Sequence, residues 1–116
     1  MKRVTLYTKT GCTTCIKARQ FLLNQGVHYT ERDIFKHPLS ELELRALVAH
    51  RPIEEIFSKR SPSVKALGLE GRQLDADEMM TYMLQEPRLI RRPLLIQGDR
   101  LAVGFSPEQT LAVLEA

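Results

Sequence analysis

Two cysteines separated by two residues are the strongest chemical signal in this chain of 116 residues. The segment Cys-Thr-Thr-Cys at 12–15 follows a predicted strand and opens a predicted helix. A disulfide across so short a loop would remove little chain entropy from the unfolded state, so a stabilising crosslink is not the expected role. The pair therefore indicates redox chemistry or metal binding. A zinc site needs about four ligands, and His28, His37 and His50 show no ligand spacing, so we expect no metal.

The position of the motif predicts different roles for its two thiols. Cys12 would lie at the helix N-terminus, where free backbone N–H groups and the helix dipole lower a thiol pKa below the free value of about 8.5. Cys15 lies one turn further along and would be the less exposed, resolving thiol. Gly11 permits the tight turn that presents Cys12. Thr10, Thr13 and Thr14 could hydrogen-bond the thiolate or cap the helix, and capping is the favoured interpretation.

The first 32 residues predict a strand, a helix and a second strand. Alternating β-forming residues favour a strand at Val4–Thr8, and a second short strand is predicted at His28–Arg32. Between them, helical spacing begins near Thr13 and stops at Gly26, with Ile16, Phe21 and Leu22 on one face. A strand, a helix and a strand within some 30 residues form a βαβ unit, which favours a parallel pair of strands.

The rest of the chain predicts a helical middle followed by a hairpin and a last helix. Ser40 and Glu43 form a capping-box pattern, and Leu42 is expected on the apolar face of the helix that they open. Gly98-Asp99 is a hairpin turn signal. The predicted segments are a helix opened by Ser40 with Leu42, Leu44, Leu47 and Val48 inside, short helices at 53–57 and 62–67, a helix at 75–85, strands at 93–96 and 100–103, and a helix from Ser106-Pro107 to Glu115.

Composition and charge exclude several classes of protein. Hydrophobic residues make up 43% and charged residues 27% of the chain, as in ordinary globular domains. No run of about 18 apolar residues predicts a membrane span. The N-terminal residues lack the apolar core of a secretory signal, so a cytoplasmic location is expected. A net charge of +3 is small for a nucleic-acid binder, so we expect no direct contact with nucleic acid and none with a membrane.

Three segments at their particular separations resemble one family. The segments LYTKTGCTTCIKARQFL, YTERDIFKHPLSELEL and RLIRRPLLIQGDRLAVGF closely resemble the Spx branch of the arsenate reductase (ArsC)-like family, and the resemblance covers about residues 3 to 114. It implies an α/β fold, a thioredoxin-like mixed four-stranded sheet with flanking helices and an inserted helical subdomain. Residues 1–116 would then form a single domain, with the helical insert at about 39–86.

The resemblance also implies two further site residues. Pro93 would be a cis proline that faces the cysteines, where neighbouring backbone groups would pair with an extended thiol substrate. Arg92, in the tight cluster with Arg88 and Arg91, would stabilise a thiolate, a sulfenate or a bound oxyanion. Together with Cys12 as the reacting thiol, these residues would form the reactive site.

Two activities are known within the family, and the sequence leaves both open. An Spx-like redox-sensing transcriptional regulator would bind the C-terminal domain of the RNA polymerase α subunit and be switched by the CxxC disulfide. An arsenate reductase or related thiol–disulfide oxidoreductase would use Cys12 as its nucleophile, with glutaredoxin or glutathione as its partner. No bound cofactor is expected, although glutathione would be a co-substrate of the reductase. A third possibility is an interaction domain that has lost both activities.

Arginine positions favour the regulator over the arsenate reductase. The reductases hold the oxyanion with a small set of arginines, one of which corresponds to Arg92. The other two correspond to Ser58 and to the region of Val103 and Gly104, where no basic residue stands. Each missing charge-assisted contact would remove roughly 1.5–3 kcal/mol of binding. We therefore expect weak arsenate binding and favour the regulator.

Overall fold

A four-stranded mixed sheet forms from the first and last parts of the chain. The computed structural model describes residues 3–114, and its strands run in the order β2-β1-β3-β4. β1 pairs with β2 in parallel and with β3 antiparallel, and β3 pairs antiparallel with β4. This topology confirms the predicted thioredoxin-like fold class. The strands are β1 (Val4–Thr8), β2 (Thr30–Asp33), β3 (Leu94–Gln97) and β4 (Arg100–Val103).

The residues divide into two compact units, a sheet unit and a helical unit. The sheet unit holds the described residues up to Pro38 and from Arg92 onward, and the helical unit holds Leu39–Arg91. That the whole chain acts as one domain stays a prediction. A 3-10 turn at Pro87–Leu89 was not expected from the sequence. The helices are α1 (Thr13–Asn24), α2 (Glu41–Val48), α3 (Ile53–Ile56), α4 (Pro62–Ala66), α5 (Ala76–Gln85) and α6 (Pro107–Leu114).

Apolar side chains from the strands and from both flanking helices form the core of the sheet unit. α1 follows β1 and precedes its parallel neighbour β2, which is the βαβ arrangement that the sequence predicts. Burying these side chains is the main free-energy gain that fixes α1, and thus the CxxC motif, against the sheet. The buried cluster comprises Val4, Leu6, Ala18, Leu22, Leu95, Ala102 and Val113.

Two capping boxes set the starts of the longer helices in the helical unit. The Ser40 hydroxyl accepts a hydrogen bond from the Glu43 N–H, and the Glu43 carboxylate accepts one from the Ser40 N–H. Asp75 and Glu78 make the same reciprocal pair at α5. Each box satisfies two backbone donors that would otherwise lack a partner in the first turn. The capping box predicted at Ser40 is confirmed.

The apolar stripes predicted for two helices are partly wrong. Ile16 and Leu42 were expected on the buried faces, but they are 53% and 80% exposed. In α1 the buried positions are Cys15, Ala18 and Leu22, which follow helical spacing. A residue one step beyond Cys15 is rotated by about 100° around the helix axis and therefore faces away. The stripe of α1 includes a cysteine and an alanine, so a pattern of large apolar residues alone does not reveal it.

Some predicted boundaries also differ from the structure. The second strand, predicted at His28–Arg32, is formed by Thr30–Asp33, because its pairing with β1 runs from Thr5↔Thr30 to Thr8↔Asp33. The predicted end of the last helix at Glu115 lies outside the described residues. None of the described helices has the length and hydropathy that crossing a bilayer requires.

Candidate functional site

Cys12 lies at the point where the chain turns from β1 into α1. Gly11 has a φ of +82°, a conformation that strains residues with a Cβ, and this turn leads directly into Cys12. The Cys12 N–H donates to the Lys9 carbonyl at 3.2 Å, and the Cys12 carbonyl accepts from the Ile16 N–H at 3.2 Å. Cys12 is therefore the N-cap residue of α1, with an extended backbone and a half-buried side chain.

The surroundings of Cys12 favour its thiolate. Partial burial acts to raise the pKa of the thiol, but hydrogen bonds from the Cys15 side chain, the Thr14 side chain and the Cys15 backbone N–H outweigh it. The positive charge of Arg92 acts in the same direction, and the net result is a pKa below the ordinary value. A larger thiolate fraction at neutral pH suits Cys12 to be the nucleophile of the pair, and that role stays a prediction.

Cys15 has the opposite environment, although it is only one turn away. Its side chain is fully buried and is a free thiol. Burial and the neighbouring Cys12 sulfur raise the pKa of the Cys15 thiol to about 12. Cys15 is therefore protonated at neutral pH. That it attacks a mixed disulfide at Cys12 as the resolving thiol stays a prediction.

The threonines of the motif do not cap the helix as expected. α1 begins at Cys12 without a side-chain capping hydrogen bond. Instead, Oγ1 of Thr14 lies 3.3 Å from Sγ of Cys12, so the hydroxyl can donate to the thiolate. Thr13 is exposed in the first turn of α1. The favoured capping interpretation is wrong, and Thr14 takes the alternative role beside the sulfur.

Arg92 and Pro93 precede β3 in the sheet unit. The peptide bond between them is cis, as the resemblance implies. Pro93 is fully buried, and its carbonyl accepts a hydrogen bond from the Gly104 N–H at 2.9 Å. Arg92 is half-buried, and its charge acts on both thiols of the motif. That Arg92 and Pro93 bind a thiol substrate or an oxyanion stays a prediction.

The other arginines of the predicted cluster have partners within the helical unit. Arg88 forms an ion pair with Glu86 at 3.2 Å. Arg91 donates to the Glu55 carbonyl at 3.2 Å. Arg88 and Arg91 thus bind partners within the helical unit. Arg92 belongs to the sheet unit, which also contains the CxxC motif.

Two residues to which the sequence analysis gave no role in the site complete the surroundings of the motif. The Asp33 carboxylate accepts hydrogen bonds from the N–H and the hydroxyl of Thr10. The ring of Phe35 has the Lys9 ammonium 4.9 Å and the Arg92 guanidinium carbon 5.4 Å from its centroid. Both residues lie in the Asp33-Ile34-Phe35 segment that carried the family resemblance. An aspartate at the end of a strand is a typical start of an Asx-turn, and that signal was available from the sequence.

Comparison with known proteins places the chain in a family. The ArsC family model matches residues 7–113, which is most of the chain. The chain belongs to the ArsC family. This ArsC family protein is 36% identical over 108 residues to the global transcriptional regulator Spx of Enterococcus faecalis, covering 91% of this chain and 82% of that protein.

Two further relatives extend the comparison. The regulatory protein MgsR of Bacillus subtilis is 28% identical over 112 residues, covering 95% of this ArsC family protein and 89% of MgsR. The crystal structure of an ArsC family related protein from Bacteroides fragilis superposes with a TM-score of 0.87 at 24% identity, covering 96% of this chain and 97% of that one. At that identity the likeness shows the shared fold.

Proposed function

We propose that this protein is an Spx-like transcriptional regulator that senses redox conditions through a disulfide between Cys12 and Cys15. The observation that carries the proposal is the unequal thiol pair at the start of α1, in a chain similar over most of its length to a global transcriptional regulator, Spx, and to the regulatory protein MgsR. A sensor needs one thiol that reacts readily and a second that closes the disulfide before further oxidation.

The chemistry of the switch follows from the two pKa directions. The Cys12 thiolate attacks one sulfur of an oxidising disulfide, forms a mixed disulfide and releases one thiolate. Cys15 then loses its proton and attacks the Cys12 sulfur, which releases the second thiolate and leaves the Cys12–Cys15 disulfide. Two electrons pass from the protein dithiol to the oxidant. A reductant with a vicinal or paired thiol reverses both steps.

The expected partner is the C-terminal domain of the RNA polymerase α subunit. This partner comes from the resemblance to Spx, and the names of the relatives support a regulatory role in transcription. The small net charge of +3 favours action through a protein partner over direct binding of nucleic acid. A disulfide at the start of α1 would change the local charge and packing around Cys12. The oxidised and reduced proteins would then present different surfaces, and the partner could bind one of them in preference.

Calorimetric titration with the purified C-terminal domain of the polymerase α subunit tests this proposal. The reduced protein, the oxidised protein and the Cys12→Ser variant are titrated in parallel. Saturable binding that differs between the two redox states of the wild type, and loses that difference in the variant, is the expected result. No binding in either state would overturn the proposed partner.

Arsenate reduction is the alternative that the same site raises. Cys12 and Arg92 correspond to reductase residues, but Ser58 stands where a second oxyanion arginine is expected. We therefore expect no arsenate turnover with glutathione and glutaredoxin under conditions where an authentic arsenate reductase is active. Turnover comparable with that of the authentic enzyme would favour the reductase over the regulator.

A further inference from the structure

Two positive side chains share one aromatic ring in the sheet unit. The Lys9 ammonium and the Arg92 guanidinium carbon lie 4.9 Å and 5.4 Å from the centroid of Phe35. Both distances are within the range of about 6 Å over which a ring attracts a cation. Two like charges drawn to one ring are a local conflict, because they repel each other. Such conflicts in native proteins occur mainly at functional sites.

A fixed turn after β2 sets the position of the Phe35 ring. The Asp33 carboxylate accepts from the Phe35 N–H at 2.8 Å and from the Lys36 N–H at 3.1 Å, which forms an Asx-turn. The Ile34 N–H donates to the Thr8 carbonyl at 2.9 Å. The turn is thus tied to the end of β1, from which the chain continues to Lys9 and the CxxC motif.

Both residues are also linked to Cys12. The backbone carbonyl of Lys9 accepts the N–H of Cys12, which places Lys9 in the turn that leads into the motif, and the charge of Arg92 acts on the Cys12 sulfur. Two carboxylates lie in this region. Asp33 is engaged by Thr10 and by the backbone of its own turn, and Glu31 is ion-paired with Arg19 at 2.7 Å. Because the charges of this ion pair balance each other, Lys9 and Arg92 against Asp33 leave an excess of positive charge.

We propose that Phe35 is a positioning residue that holds Lys9 and Arg92 beside Cys12, so that the dithiol reacts preferentially with anionic disulfides. This inference rests on the proposed redox function of Cys12. The positive charges of Lys9 and Arg92 would attract a disulfide that bears carboxylates and would repel one that bears ammonium groups. Salt screens exposed charges beyond a Debye length of about 8 Å at physiological ionic strength, so this attraction should depend on the salt concentration.

The reaction is the exchange already described for the switch, with an anionic disulfide as the oxidant. The Cys12 thiolate breaks the sulfur–sulfur bond of the small disulfide and forms a mixed disulfide, and one anionic thiolate leaves. Attack by Cys15 releases the second anionic thiolate. The positive charges would favour the approach of the oxidant and also stabilise each departing thiolate.

Three small disulfides of similar size test the proposal. They are 3,3′-dithiodipropionate, which is anionic, 2-hydroxyethyl disulfide, which is neutral, and cystamine, which is cationic. The rate constant for oxidation of the reduced protein is measured with each. The wild type should react about tenfold faster with the anion than with the cation. Adding salt to about 1 M should shrink this ratio, since screening weakens the field.

Matched variants distinguish the effect of the Phe35 ring on this rate ratio from general effects of a substitution on the fold. Phe35→Leu keeps an apolar side chain but lacks the aromatic quadrupole, and Lys9→Gln removes one charge. In each, the anion-to-cation ratio should fall about threefold, because a displaced or lost cation weakens the local field. Phe35→Tyr keeps the ring and should keep the ratio. Lys65→Gln removes one charge from the exposed surface of the helical unit and should also keep it.

The outcomes distinguish this inference from the proposed function. A wild-type ratio near one, or an unchanged ratio in Phe35→Leu and Lys9→Gln, would overturn the inference while leaving the disulfide switch intact. If Phe35→Leu fails to fold, the anion-to-cation rate ratios of Lys9→Gln and Phe35→Tyr test the inference: the first should be lowered and the second unchanged. If none of the three disulfides produced a Cys12–Cys15 disulfide, both the inference and the proposed function would be contradicted.

Discussion

The carboxylate of Asp33, at the end of β2, accepts two hydrogen bonds from Thr10, which stands two residues before Cys12. The Thr10 N–H lies 2.9 Å and its hydroxyl oxygen 2.6 Å from Asp33 Oδ2. The second oxygen of the same carboxylate accepts from the backbone after β2. One side chain thus joins the turn that precedes Cys12 to the turn that carries Phe35.

Asp33→Asn should destabilise the protein at neutral pH. The change replaces a charged acceptor by a neutral amide, and because both bonds from Thr10 are exposed to solvent, the cost should be about 0.5–1.5 kcal/mol. Urea unfolding of the variant and the wild type measures the difference. Asp99→Asn removes the same charge from the exposed hairpin turn and should have little effect. Equal stability of Asp33→Asn and the wild type would contradict a stabilising role for the Asp33 carboxylate.

The destabilisation should also depend on pH in one direction. The hydroxyl and N–H donors of Thr10 and the turn hold the pKa of the Asp33 carboxyl well below its usual range. Because the pKa is lowered on folding, the stabilisation is complete above the unfolded value of about 3.9. It is lost as the pH falls further, through the folded pKa. The free-energy gap between wild type and Asp33→Asn should therefore be constant from about pH 7 to 5 and shrink below about pH 4.

Alkylation of the reduced protein should occur first at Cys12 and with a lowered pH midpoint. The rate of reaction with iodoacetamide, followed by mass spectrometry of labelled peptides, should rise with a midpoint below the free-thiol value of about 8.5. Cys15 should remain unlabelled in the folded state, because it is buried and the pKa of its thiol is raised to about 12. Faster labelling of Cys15 than of Cys12 would contradict the assignment of roles.

Thr14→Val should raise the pKa of Cys12. The hydroxyl lies 3.3 Å from Sγ, and valine keeps the shape of threonine without a donor to the thiolate. The measurement is the ultraviolet absorbance of the thiolate as a function of pH. Thr14→Ser retains a hydroxyl and should restore the wild-type midpoint, while Thr13→Val is the matched control on the exposed neighbour. An unchanged midpoint in Thr14→Val would show that this hydrogen bond does not stabilise the thiolate.

Arg92→Gln should raise the pKa of Cys12 and slow its reaction with disulfides, whereas Arg91→Gln should do neither. Arg92 acts on the thiol through its charge, and the adjacent Arg91 is hydrogen-bonded to the Glu55 carbonyl in the helical unit. The same absorbance titration compares the two variants. Equal shifts from both substitutions would indicate a general effect of net charge.

Leu42→Ala and Leu44→Ala should differ widely in stability, although the residues are two positions apart on α2. Leu42 is 80% exposed and Leu44 is fully buried. Truncation of Leu44 leaves a cavity and should cost about 2–5 kcal/mol, whereas truncation of Leu42 should stay within about 0.5 kcal/mol. Denaturant unfolding measures both. A large loss from Leu42→Ala would mean that this side chain is covered in solution.

Features with a local cause were predictable from the sequence. The unequal thiols follow from the place of Cys12 at a helix start, and the box at Ser40 and Glu43 follows from their spacing. The hairpin turn at Gly98-Asp99 likewise carries its own residue signal. Each depends on residues only a few positions apart, so the pattern and the structure share one physical cause.

Features that depend on distant neighbours were not predictable in the same way. The exposure of Ile16 depends on which face of α1 meets the sheet, and the stripe is completed by small residues. Phe35, which follows β2, contacts Lys9, which follows β1, and Arg92, which lies far along the chain. From the sequence, the Thr14 hydroxyl could either cap the helix or hydrogen-bond the Cys12 thiolate. Only the geometry of the first turn decides between these two roles.

The most direct test of a reversible switch at Cys12 and Cys15 is a redox titration of the full chain in glutathione buffers, with free thiols quantified by labelling. We predict one two-electron transition in which both thiols disappear together, reversal by dithiothreitol, and an intramolecular disulfide between Cys12 and Cys15 in the peptide map. Cys15→Ser should instead accumulate a glutathione mixed disulfide at Cys12. Independent titration of the two thiols, or a disulfide that links separate chains, would contradict the switch.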